Sequence, residues 1–228
     1  MSHARALAAV ATTLAAAALA APATAATDPE TPLAQAVHRA IPLYRAPGAT
    51  RPYRTLGPIT GSYGTRPVFL VERQRSGWLR VELPIRPNHS TAWIRRADVR
   101  VAYTDYRLEI ELRTHRLVLH RGRAVVLSAP IGVGRAVTPT PTGTYFIAYV
   151  IRLSDPNGFF GPYAYGLSAY SSVFTSFAGG DGEIGLHGTS EPGLLGHDVS
   201  HGCIRLANAV ITRLVRLLPL GTPVDIVR

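Results

Sequence analysis

Arg107-Leu108-Glu109-Ile110-Glu111-Leu112-Arg113 alternates charged and apolar side chains over seven positions. A period of two puts the leucines and isoleucine on one face and the charges on the other, as in a strand with one buried side. Downstream, residues 117–119 and 124–127 flank His120-Arg121-Gly122-Arg123, a short glycine-containing turn, and read as a hairpin. Thr138-Pro139-Thr140-Pro141-Thr142-Gly143 is neither helix nor central strand, because its prolines lack a backbone donor and restrict the residues before them. It reads as a loop feeding a strand over 144–151, and 223–227 reads as a closing strand. Residues 154–166 mix glycine, proline and aromatic side chains, which suits a long surface loop or lid. Only 206–218 reads as helix, with Leu206, Val210, Leu214 and Leu218 spaced by four and Gly221 beyond them. The fold class is mainly β.

Upstream, residues 33–101 hold short apolar runs broken by Pro, Gly or Asn, with strands expected at 41–44, 68–73, 78–83 and 91–94. Gly77-Trp78-Leu79-Arg80-Val81 followed by Thr91-Ala92-Trp93-Ile94 resembles a small bacterial SH3-like β-barrel, in which both tryptophans are expected in the core. The chain therefore divides into a leader at 1–26, a Pro/Thr tether at 27–32, an SH3-like module at 33–101 and a second domain at 104–228.

The leader carries Arg5 and then no charge from Ala6 to Ala26, and it closes on Ala23-Thr24-Ala25, a small-x-small cleavage pattern. It reads as a signal peptide cut near Ala25 or Ala26, with an uncleaved anchor as the alternative, and it sends the protein to the cell envelope, periplasm or wall. All 24 basic residues are arginine, which excludes Schiff-base and Ser-Lys chemistry. The net charge of +10 points to anionic wall polymers or membrane surfaces as partners rather than nucleic acid.

In an exported chain a single cysteine needs a chemical reason. Cys203 stands in Val199-Ser200-His201-Gly202-Cys203-Ile204-Arg205-Leu206, sixteen residues after His187. A thiol is little ionised at neutral pH, so a nucleophilic cysteine requires a base, and His187, His197 and His201 all precede it closely. Gly202 lets a substrate carbonyl approach the N–H groups of Gly202 and Cys203 as an oxyanion site. His197, next to Asp198, reads as structural. His197, His201 and Cys203 have metal-like spacing, but a closed zinc site wants four ligands and the intervening residues have no helical pattern to align the pair, so neither metal nor cofactor is expected.

Ile184-Gly185-Leu186-His187-Gly188-Thr189 and Ser200-His201-Gly202-Cys203-Ile204-Arg205-Leu206, with Pro139-Thr140-Pro141-Thr142-Gly143, are similar to the signature of the L,D-transpeptidase (YkuD-type) catalytic domain. The resemblance covers about 106–228. It implies a YkuD-type β-sandwich with one or two short helices, and a Cys203 thiolate that attacks peptidoglycan stem peptides between a diamino acid and D-alanine. A thioester forms, D-alanine leaves, and an amine of another stem takes the acyl group. By the same resemblance His187 moves the proton and the Gly188 carbonyl orients its ring. Ser200, His201 and Gly202 shape the oxyanion site, Arg205 either contacts a substrate carboxylate or only pins the loop, Thr189 faces substrate, and carbapenem-type inhibitors acylate the thiol. Ile204-Arg205 departs from the Leu-Asn of some actinobacterial relatives. Two alternatives stay open: an L,D-carboxypeptidase using water as acceptor, and a non-catalytic wall-binding protein. Papain-type and caspase-type peptidases are excluded by chain order and spacing.

Overall fold

The computed structural model describes residues 30–59, 64–176 and 180–228, so the expected signal peptide and residues 27–29 of the tether lie outside the described residues. Thr31 and Pro32 are not tether: they open strand β1 (Thr31–Ala36). With β4 (Val68–Arg75), β5 (Trp78–Glu82), β6 (Thr91–Arg95) and β7 (Val99–Thr104) it forms an antiparallel sheet in the order β6-β5-β4-β1-β7, and β2 (Ile41–Leu43) pairs with β3 (Arg54–Leu56) as a ribbon. Pro32 is tolerated because β4 pairs only from Leu33 onward, so the missing N–H interrupts no bond on that side. Leu79, Val81, Ala92 and Ile94 enter the core of this unit together with Phe69 and Leu43. The alternation that buries them turns Trp78 and Trp93 to the other face. Both are only half-buried there, contrary to the expectation of core tryptophans, and Trp78 meets Tyr44 edge-on at 5.0 Å.

The second unit is built on β8 (Tyr106–Glu111), β9 (Arg116–Arg121), β10 (Ala124–Pro130), β11 (Val133–Gly134) and β12 (Gly143–Arg152). It continues through β13 (Tyr163–Tyr170), β14 (Glu183–His187), β15 (Asp198–Ser200), β16 (Ile204–Arg205), helix α1 (Asn208–Leu217) and β17 (Pro223–Val227). The main sheet runs β10-β9-β8-β17-β12-β13-β14-β16, and β11 pairs with β15 apart from it. The charged-apolar run becomes β8, with Leu108 and Ile110 fully buried, and the hairpin forms as β9–β10. The closing strand β17 lies between β8, to which it is parallel, and β12, to which it is antiparallel. Helix α1 drives Ile211 and Leu214 into the same core as Leu186, Ile204 and Leu206, which fixes the level of the neighbouring motifs. Residues 154–166 are a loop only as far as Pro162, since β13 starts at Tyr163.

The two units share buried surface. Leu33 and Leu70 pack with Phe146 and Ala148 of β12. Ser168 donates to the buried Glu82 carboxylate at 3.3 Å, and Asn88 clamps the backbone of Tyr170, donating to its carbonyl and accepting its N–H, each at 2.9 Å. The Arg86 guanidinium donates to the carbonyls of Ser171, Phe174 and Asp181 at 2.6–3.3 Å and lies over the Tyr170 ring. Among the described residues no helix is long and apolar enough to cross a membrane.

Candidate active site

The two motifs meet because β14 and β16 pair in parallel, Leu186 opposite Ile204 and His187 opposite Arg205. Leu206 N–H donates to the His187 carbonyl at 2.8 Å and closes the pairing. On β14, Ile184 and Leu186 are in the core. Period two then turns Glu183, Gly185 and His187 to the opposite face. Cys203, one residue before β16, comes down on Gly185, whose N–H donates to Sγ at 3.3 Å. A methyl group at Gly185 would stand 3.7 Å from Cys203 Sγ and 3.7 Å from His187 Cδ2, so a side chain there would fill the space between thiol and imidazole.

His187 is 2% exposed, and its Nδ1 lies 2.6 Å from the Gly188 carbonyl oxygen. A carbonyl only accepts, so Nδ1 carries the hydrogen and Nε2 is the basic nitrogen. Burial pushes the imidazole pKa down to about 4; the Gly188 bond opposes this and the Arg205 charge adds to it. Burial likewise pushes the Cys203 thiol up, with Gly185 N–H lowering it, Glu183 raising it and Arg205 lowering it. Both shifts favour the neutral thiol and neutral imidazole as the resting pair.

The turn before the cysteine is held from within. Ser200 Oγ donates to the Cys203 carbonyl at 2.5 Å and accepts Gly202 N–H at 3.1 Å. The Gly202 amide is thus engaged inside the turn, which departs from its expected use as a free oxyanion donor. Its conformation is what requires glycine: φ is +121°, and a Cβ would meet Ile184 Cδ1 at 3.1 Å. Thr140 of the proline-rich loop donates to the Gly202 carbonyl at 2.8 Å and accepts Gly134 N–H at 2.9 Å, so that loop buttresses the turn from below. His201 is exposed, with the Phe174 ring 6.2 Å away. His197 is exposed, and the neighbouring Asp198 pairs with His115 at 2.8 Å.

Arg205 is 6% exposed, pairs with Glu191 at 2.9 Å and carries Phe159 over its guanidinium at 4.5 Å, while its Nε is buried without a partner. Thr189 is buried; its Oγ1 accepts Glu191 N–H, and its own N–H donates to Asn208 Oδ1. Thr189 therefore shapes the segment that presents Glu191 to Arg205. The expected surface loop is present at 154–162. Phe160 packs edge-on against His187 at 4.9 Å while about two-fifths exposed. Asn208 ties this loop to the motif, since its Nδ2 donates to the Pro156 carbonyl while Oδ1 holds Thr189.

Sequence reading did not find Tyr149 and Glu183. Tyr149 of β12 lies flat across Gly166 of β13, where a Cβ would stand 2.1 Å from its ring, and donates to Glu183 Oε2 at 2.6 Å. Gly166 is in register with Gly185, so two glycines form the floor between Tyr149 and the thiol. Only the three-strand register brings these residues together; the glycines at 166 and 185 were the one available signal.

The family model of the YkuD L,D-transpeptidase catalytic domain matches residues 105–226. The chain is 34% identical over 123 residues to the YkuD protein of Bacillus subtilis and 36% identical over 121 residues to that of Bacillus licheniformis, covering 54% and 53% of this chain. It spans 66% and 65% of the length of those relatives. An L,D-transpeptidase from Mycobacterium smegmatis superimposes with a TM-score of 0.46 at 16% identity, covering 77% of this chain and 89% of its own. One from Enterococcus faecium gives 0.42 at 22% identity, covering 54% and 49%.

Proposed function

Because this chain belongs to the YkuD family of L,D-transpeptidase catalytic domains, we propose that it is an exported cysteine acyltransferase acting on peptidoglycan stem peptides. Cys203 is the nucleophile. As Sγ attacks the carbonyl between the diamino acid and D-alanine, its proton passes to His187 Nε2, and the imidazolium returns that proton to the departing D-alanine nitrogen. The thioester is then resolved by an amine of a second stem. Ser200 and Gly202 set the turn, the Cys203 N–H faces the developing oxyanion, and Arg205, paired with Glu191 under Phe159, pins the segment that follows the histidine motif.

The observation that carries this reading is the Gly185 amide at Cys203 Sγ beside an imidazole whose δ-hydrogen is fixed on the Gly188 carbonyl. It supplies nucleophile, base and tautomer without requiring a resting thiolate. The leader sequence supports export, and the arginine-rich surface suits anionic wall polymers. A thiol in this setting is also the group a carbapenem would acylate.

The test is to incubate the protein with a defined tetrapeptide stem, with and without an amine acceptor, and to identify products by mass. Loss of D-alanine and formation of an amide-linked product, both absent in Cys203→Ala, are expected. Tripeptide alone in the presence of acceptor would favour the carboxypeptidase reading. No turnover and no acyl-enzyme from folded protein would favour the wall-binding one.

A further inference from the structure

Glu183 shares the site-facing side of β14 with Gly185 and His187. The thiol is held over Gly185, with His187 two residues along the strand in one direction and Glu183 two residues along it in the other. This is not an ordinary surface acid. Tyr149 reaches it across Gly166 and holds Oε2, while Oε1 is shut off from solvent and has no hydrogen-bond partner. In a chain of net charge +10, no arginine pairs with it among the described residues. A desolvated carboxylate oxygen without a donor is costly, and such an oxygen beside a reaction centre marks where a donor arrives. Glu183 is also close enough for its charge to raise the Cys203 thiol.

The second half of an acyl transfer to an amine has a proton problem that one histidine does not solve. The acceptor enters as an ammonium, R–NH3+, and must lose one proton to free its lone pair and a second as the C–N bond forms. His187 Nε2 can take only one. Water needs no such first deprotonation.

Resting on the acyl-transfer reading above, we propose that Glu183, held by Tyr149, is the acceptor subsite: it binds the primary ammonium of the incoming stem and takes its first proton. The free amine then attacks the thioester carbonyl carbon. The C–N bond forms, the C–S bond breaks, and sulfur leaves with the electron pair. The second nitrogen proton passes through His187 to that sulfur. The sum is thioester, ammonium and Glu183 carboxylate giving amide, Cys203 thiol and Glu183 carboxylic acid, which gives up its proton to the next acceptor cycle's water once the amide has left. Burial raises the Glu183 pKa to about 7, against the lowering effect of the Tyr149 bond and with a further rise from Asp181, which suits a group that must both accept and release a proton near neutrality.

The experiment follows the partition of the acyl-enzyme, so that it does not depend on how fast acylation occurs. Full-length protein is given a tetrapeptide stem ending in L-lysyl-D-alanine together with one of two acceptors at pH 7: Nα-acetyl-L-lysinamide, an ammonium at that pH, or methoxyamine, which is uncharged. In Glu183→Gln the ratio of lysinamide adduct to hydrolysed tripeptide is expected to fall about tenfold or more, the size of one charge-assisted hydrogen bond, while the methoxyamine ratio stays within about twofold. The methoxyamine arm also shows that the variant is folded and acylated. Tyr149→Phe, which leaves the carboxylate but removes its anchor, is expected to lower the lysinamide ratio by a smaller factor. Equal loss with both acceptors, or no loss with either, in whichever variant is folded, overturns the subsite. Wild-type protein that forms no acyl-enzyme overturns the acyl-transfer reading itself, and the subsite with it.

Discussion

The Gly185 amide donates to Cys203 Sγ at 3.3 Å, so the thiol is held by main chain on the strand that also carries His187. The space above that amide is empty of side chain. Gly185→Ala would place a methyl group at ordinary contact distance from both Sγ and His187 Cδ2, with no positive φ to strain it. Stability should change by less than about 1 kcal/mol, while acylation of Cys203 should fall about a hundredfold, because the methyl stands in the path of the proton. Thermal melting and intact-mass acylation kinetics check the two halves of this prediction.

His187→Ala should slow acylation by roughly 10²- to 10⁴-fold, as loss of a general base does. It should not move the pH midpoint of iodoacetamide alkylation. Sequence alone suggests that removing the histidine raises the thiol pKa, but an imidazole pushed down to about 4 is uncharged at neutral pH and lends the thiol no cationic support. In both proteins the midpoint should lie above the ordinary thiol value of about 8.5, since burial pushes Cys203 up. A midpoint that rises by a unit or more in the variant would show that His187 is charged at rest.

The N-terminal unit should not be dispensable. Sequence pattern suggests that a protein starting near Ala102 folds alone, yet such a protein would uncover Phe146, Ala148 and the clamped backbone of Tyr170. It should be poorly soluble or markedly less stable. Arg86→Ala, a milder version, should cost roughly 2 kcal/mol and speed amide exchange at Val173 and Phe174, whose N–H groups rest on Ser171 Oγ in the segment that Arg86 holds.

Glu82 gives the junction a pH dependence. Burial raises its pKa to about 7; the Ser168 bond opposes this and the Glu72 charge adds to it. Its folded pKa is above the unfolded one, so the folded state binds more protons between about 4.5 and 7, and its contribution to stability falls as pH rises through that window. Glu183 acts in the same direction, whereas His187, lowered to about 4, opposes it as pH rises from about 4 to 6.5. Glu82→Gln should therefore be more stable than wild type at pH 8 than it is at pH 5, by a difference on the order of 2 kcal/mol in denaturant unfolding.

Much of the architecture was legible where one strand face is buried and the other wet, as in β8. Strands with other demands were not. β1 reads Thr-Pro-Leu-Ala-Gln-Ala, with small residues and a proline, yet it is central because β4 and β7 both pair with it. β13 hides behind Gly161, Pro162 and Gly166, and Gly166 is there because the Tyr149 ring occupies the place of its side chain. The thiol and His187 could be read from their motifs, since each carries a local signature. Tyr149 and Glu183 could not, because their meeting depends on the register of three strands rather than on any spacing along the chain.

The parallel pairing of β14 with β16 also determines which changes the protein can absorb. Between Glu191 and Asp198 the chain leaves the site and returns to it, so the length of that stretch is invisible to the thiol and imidazole as long as both strands keep their partners. Insertions at the exposed segment near Gly193 should be inherited cheaply. A slip of one residue in the two-residue strand β16 would be another matter: it would carry the sulfur about 3.3 Å along the sheet and turn it to the opposite face. Variation in this lineage should therefore collect in the excursion and spare the register.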